Sequence, residues 1–85
     1  MKISSAAILF NNKIYTGISH CEIGCKMVRD KVCERYPSGD AQGFITDDGK
    51  FVSRWQALRI AIRAGQVEMG KTVNKNELFS EDLKG

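Results

Sequence analysis

The stretch GFITDDGKFVSRWQALRIAIRAGQ, residues 43–66, contains a hairpin, a capped helix start and a glycine stop within 24 residues. Ile45 and Phe51-Val52 flank Asp48-Gly49, a pair favoured in tight reversals because both central positions tolerate positive φ. Ser53 stands three residues before Gln56. At that spacing each side chain satisfies an otherwise orphaned N–H at a helix start. Gly65, just after Ala64, suits the left-handed conformation that ends a helix. The segment reads as strand, turn, strand, helix.

A fainter copy lies 37 positions upstream, where Lys13-Ile14-Tyr15-Thr16 aligns with Lys50-Phe51-Val52-Ser53. Residues 3–10 are rich in strand formers, Asn11-Asn12 suits a reversal, and Ser19 with Glu22 repeats the capping spacing. The expected fold is α+β. Two ββα units, residues 1–36 and 43–66, form a small sheet packed by two helices, with an extended tail over 67–85. At 85 residues this is a single domain whose one core yields only a few kcal/mol of net stability.

In the first helix, Cys21, Gly24, Cys25, Val28 and Val32 recur at helical spacing as the expected buried face. Tyr36-Pro37-Ser38-Gly39 is its expected stop, because the residue before proline is pushed out of helical geometry. In the second helix, Ala57, Ile60, Ala61 and Ala64 make one apolar face. Leu58 and Ile62 make another, with Trp55 on the first turn. Two apolar sides call for two packing partners, so a homo-oligomer, dimer or higher, is expected; burial of Leu58 and Ile62 beneath the tail is the alternative. In the tail, Leu78, Phe79 and Leu83 are the anchors.

Thirteen Lys and Arg against ten Asp and Glu leave a net charge of +3, too mild for a binder of long nucleic acid. No apolar run approaches the roughly 20 residues of a membrane span, and no leader pattern is present, so a cytoplasmic protein is expected. The three cysteines, Cys21, Cys25 and Cys33, are expected as core thiols. Cys21 and Cys25 beside His20 are the nearest approach to a metal site, but no second ligand pair has suitable spacing, and none is expected.

No catalytic constellation stands out. The single histidine, His20, has no identifiable orienting acid, and phosphate-loop, HExxH and GxSxG motifs are absent. Asp47-Asp48 is explained by turn chemistry. Binding without chemistry is the better expectation. Phe44 heads the later hairpin beside Gly43, and Arg54 lies where its second strand meets the helix. A ring that stacks a base and a guanidinium fork near free helix N–H groups would make a nucleotide site; a core Phe44 and a surface Arg54 are the alternative. No cofactor is implied.

The 43–66 run, the LFSEDL at 78–83 and the opening AAILFNNKIYTGISH together resemble a group of small phage and prophage proteins. Their shared pattern is GF(V/I)xxxG(R/K)F(V/L)xRxEAxxIAxxAGQ with a terminal SEDL. The resemblance covers nearly the whole chain, least clearly over 23–40. It extends to the anti-Thoeris sponge family, which counters bacterial immunity by sequestering cyclic ADP-ribose-type signals uncleaved; its members are oligomers, and some capture cyclic oligonucleotides.

The resemblance implies Phe44 as the stacking residue, Arg54 as the contact to phosphate or polar edges, and His20 with the 14–19 segment, Thr16 included, as the opposite wall. Lys71 is placed only by its distance beyond the Gly-Gln turn. This sequence departs from the pattern at Ser53, where the group has an acid, and at Trp55-Gln56, where it has a polar-Glu pair. Two other classes of function stay open: a module docking a host protein through Trp55, Leu58 and Ile62, and a small metal-free nucleotide hydrolase.

Overall fold

The structure, a computed structural model, describes residues 1–37 and 39–83. Ser38 of the expected helix stop, and Lys84 and Gly85 of the expected tail, lie outside the described residues. The elements run β1 (Ile3–Phe10), β2 (Lys13–Gly17), α1 (His20–Arg29), β3 (Gln42–Thr46), β4 (Phe51–Ser53) and α2 (Arg54–Arg63), with short 3-10 turns at Gly39–Ala41 and Ser80–Leu83. The sheet is antiparallel in the order β2-β1-β3-β4. Each ββα unit thus donates its first strand to the centre.

One face of this sheet is covered. Ala6, Ile8 and Phe44 alternate toward it and form a single core with Ile23 and Met27 of α1, Ala57, Leu58 and Ala61 of α2, and Leu78 of the tail. On the opposite face Leu9 and Ile14, cross-strand partners, stay exposed. There the Phe51 ring lies across Gly43. A Cβ at position 43 would run into that ring and the Val52 carbonyl, so only glycine fits.

The two reversals differ from one another. Asn11 and Asn12 both have positive φ, +50° and +63°, which matches a two-residue hairpin loop of the favoured twist. In the second hairpin only Gly49 is left-handed, at +87°. Gly49 N–H donates to Thr46 O at 3.0 Å and Thr46 N–H to Lys50 O at 2.9 Å, closing a three-residue loop. The Asp48-Gly49 pair therefore ends this loop instead of forming it. The cause is Thr46, whose buried hydroxyl bonds both Asp48 and the Lys50 N–H.

Both helices start as their capping residues dictate. Ser19 Oγ accepts from Glu22 N–H at 3.1 Å, and Ser53 and Gln56 form the complete reciprocal box. Both also end in the same motif, with crossed bonds Val32 N–H to Met27 O and Lys31 N–H to Val28 O in α1, and Gln66 N–H to Ala61 O and Gly65 N–H to Ile62 O in α2. The left-handed residue in α2 is the expected Gly65, at +74°. In α1 it is Lys31, at +59°, so the helix stops well before Tyr36-Pro37.

The buried face of α1 is also rotated from the expected one. His20, Ile23, Gly24 and Met27 face the core, whereas Cys21, Cys25 and Val28 are exposed. Ile23 and Met27 bury more apolar area than two thiols two positions away, and the larger payload sets the helix orientation. Of the three cysteines only Cys33 packs against the core. In α2 the second apolar face is covered within the chain, since Leu58 is buried and Ile62 packs on the core. Trp55 alone stays out, 53 % exposed beneath the Arg59 guanidinium. The proposed docking face thus loses Leu58, and the packing of α2 no longer calls for a second subunit.

Gln66, the last residue of the 43–66 stretch, closes the fold at long range. Its Oε1 accepts from Ile3 N–H and its Nε2 donates to Ile3 O, both at 2.8 Å. The amide acts there as a strand partner, next to the bulge in which Ser4 is the extra residue between the β1–β3 pairs Ile3–Thr46 and Ser5–Ile45. Gln66→Ala should cost about 1–3 kcal/mol, two part-buried hydrogen bonds, in a urea titration. Lys31→Gly should instead add about 1 kcal/mol, because glycine has no Cβ penalty in the left-handed region.

Candidate functional site

The tail carries residues 78–83 back across the entrance of α2. Leu78 N–H donates to the Arg54 carbonyl at 2.9 Å, and the Leu78 side chain is fully buried. Asp82 holds the bend that follows, accepting from Phe79 N–H and Val73 N–H, both at 2.9 Å. This places the Phe79 ring under the Arg54 guanidinium, 5.0 Å from Cζ to the ring centroid, within cation–π range.

Arg54 is the unusual group of this region. It opens α2, where free N–H groups and the helix dipole favour negative charge. Its side chain is only 17 % exposed, and Nε, buried, has no hydrogen-bond partner. Among the described residues the carboxylate paired with it is Glu77, 3.6 Å from Nε, close enough to attract and too far to hydrogen-bond. Nη2 lies against Gly39, where a Cβ would approach to 2.7 Å. A desolvated cation at a helix N-terminus is thus left short of acceptors, which is costly unless something else supplies one.

His20 and Phe44 form the wall behind it. The Phe44 ring is 0 % exposed, and His20 meets it edge-on with centroids 4.9 Å apart. Phe44 therefore offers no face to a base, and the expected stacking role is withdrawn. It is a core residue because period-2 alternation from Gly43 turns it to the helix-covered face. His20 Nε2 donates to the Gly43 carbonyl at 2.6 Å, and Tyr36 Oη donates to the His20 carbonyl at 2.7 Å. The histidine is thereby tied to β3 and the loop after α1 is tied to the histidine.

Thr16 stands elsewhere, at a groove of about 480 Å³ where β1, β2, the start of α1 and the tail meet. Ser4 of the bulge, Ser5, Thr16, Glu22 and Ser80 supply its polar lining. Ser80 follows Phe79 directly, so the tail borders both the Arg54 cluster and the groove. A second groove of about 410 Å³ between β2 and α1 shares Thr16 and Glu22 over an apolar floor that includes Ile23 and Met27. Lys71 joins none of these; it pairs with Glu68 at 3.3 Å, 77 % exposed. Of the five expected residues, His20, Phe44 and Arg54 converge, Thr16 lines the adjoining groove, and Lys71 is apart. Phe79, Glu77 and Ser80 were missed, because they lie far from the hairpin in sequence.

Burial lowers the His20 pKa below its ordinary 6.5, aided by Arg54 and opposed by the Gly43 hydrogen bond and Glu81. With the folded value depressed, the unfolded chain takes up the proton first, so stability is full above pH 6.5 and is lost as pH falls toward the folded value. The urea midpoint should drop on acidification through that window, and His20→Gln should flatten the drop.

A family model described as the phage T4 y16D protein matches residues 2–83. No curated protein and no solved structure matches the chain. The matched span holds both hairpins, both helices and the tail turn around Arg54, and on it the chain belongs to the phage T4 y16D protein family.

Proposed function

We propose that this phage-family protein binds a cyclic nucleotide immune signal, of the cyclic ADP-ribose type, and sequesters it uncleaved as an anti-defence protein. Cyclic oligonucleotides are a second ligand class of the same chemistry. The observation that carries this reading is the under-satisfied Arg54 guanidinium at the entrance of α2. Phosphate oxygens supply the acceptors it lacks, and Glu77 occupies the place such an oxygen would take.

The flat surface for a base passes from Phe44 to the Arg54–Phe79 stack, which pairs a delocalised guanidinium with a half-buried ring. The hydroxyl groups of Ser4, Ser5, Thr16 and Ser80 in the adjoining groove match the hydrogen-bonding needs of ribose. His20, with Nε2 engaged by Gly43, supports the wall and takes no proton from a ligand through that atom. Release slow enough for sequestration is favoured by a site closed over by a second copy, and the working form is an oligomer in the infected bacterium.

Protein incubated with a panel of cyclic nucleotides, desalted and heat-denatured, should return one of them intact by mass spectrometry. Arg54→Ala should weaken retention about 10- to 100-fold, the loss of charge-assisted hydrogen bonds, while circular dichroism stays unchanged. Arg54→Lys should recover only part, since an ammonium lacks the fork. Retention of no nucleotide, or equal retention by Arg54→Ala, would sink the proposal.

A further inference from the structure

The outward face of α1 carries a pair of thiols away from the Arg54 cluster. Cys21 and Cys25 lie on consecutive turns, both exposed, with Sγ atoms 4.0 Å apart. Residues four apart on a helix share one face, so the backbone holds this approach and no loop has to close to create it. Glu81 and Tyr36 lie near enough to act on the thiols, whereas the nearby nitrogen and sulfur donors are turned away. His20 is buried with Nε2 on the Gly43 carbonyl, and Cys33 packs against the core.

We propose that Cys21 and Cys25 form a two-thiolate chelate for a soft monovalent metal cation, Cu(I) being the ion that fits. Thiolate softness selects Cu(I), zinc and iron–sulfur clusters over harder ions. The number of donors then decides among them. Among the described residues no group of three or more His, Cys, Asp or Glu side chains converges, whereas structural zinc takes four ligands and clusters take four cysteines.

Two thiolates complete most of the coordination that Cu(I) requires. With metal–sulfur bonds of about 2.3 Å, sulfurs 4.0 Å apart subtend about 120° at the ion, leaving a third position open to a solvent-borne ligand such as a small thiol. Binding then replaces two protons with one cation, both protons leave to solvent, and copper keeps its oxidation state. Arg29, one turn beyond Cys25, offsets the net negative charge of the bound unit.

The test is transfer of Cu(I) from its coloured bicinchoninate complex to the folded chain under reducing, oxygen-free conditions. One Cu(I) per chain is expected. Cys21→Ser and Cys25→Ser should each weaken uptake about 100-fold, because the second sulfur acts at high effective concentration. Cys33→Ser should leave uptake unchanged. The double variant Cys25→Ser/Lys26→Cys keeps the thiol count and places the second sulfur off the shared face, so it should bind as weakly as Cys25→Ser. All four positions are exposed or half-buried, and circular dichroism confirms folding. No transfer to the unmodified chain, uptake surviving in Cys21→Ser/Cys25→Ser, or full uptake by the shifted pair would overturn the proposal.

Discussion

The pairing of β1 with β3 is the constraint on which the rest of this structure depends. Each hairpin by itself would be marginal in water, since two strands cannot shelter an apolar face. Joined through β1 and β3, they present Ala6, Ile8 and Phe44 as one surface against which both helices and the tail can pack. The pairing tolerates no side chain at Gly43, where Phe51 crosses the strand, and its first pair, beside the bulge, is held by the Gln66 amide. A residue at the end of the second unit thus clamps the start of the first.

The same ladder delivers the site. Because Phe44 points to the covered face, His20 can stand against it and bond the adjacent Gly43 carbonyl. Because α2 begins directly after β4, Arg54 emerges at the edge of that core, where Leu78 seals the apolar interior and Phe79 is left under the guanidinium. The chain spends its buried area on one face and leaves a desolvated cation at the seam with the tail. A group that weakens the monomer in this way is a natural place for a ligand to add binding energy. The exposed thiols of α1 follow from the same competition, since the helix turned its larger apolar side chains inward.

Local signals in the chain were read well where their cause is local. Ser19, Ser53-Gln56, Asn11-Asn12 and Gly65 act within one turn of themselves, so their roles are visible without a third dimension. The left-handed Lys31 carries no such signal, as lysine has no preference for that conformation and only packing can impose it. Two stripes competed for burial on α1, both at helical spacing, and spacing alone does not rank them. Phe44 stands beside a glycine yet is buried, because that glycine is small to admit Phe51 on the other face of the sheet.

What the amino-acid order determined unaided was therefore the grammar: two ββα units, where each helix begins, where the second ends, and tail anchors at Leu78 and Leu83. What tertiary structure alone decided was which side chains meet. Arg54 and Phe79 lie 25 positions apart in the chain, and Ile3 and Gln66 lie farther still. Hydrogen bonds within a turn depend on adjacent residues only, whereas the partner of a guanidinium or an amide across the fold depends on how the whole core closes.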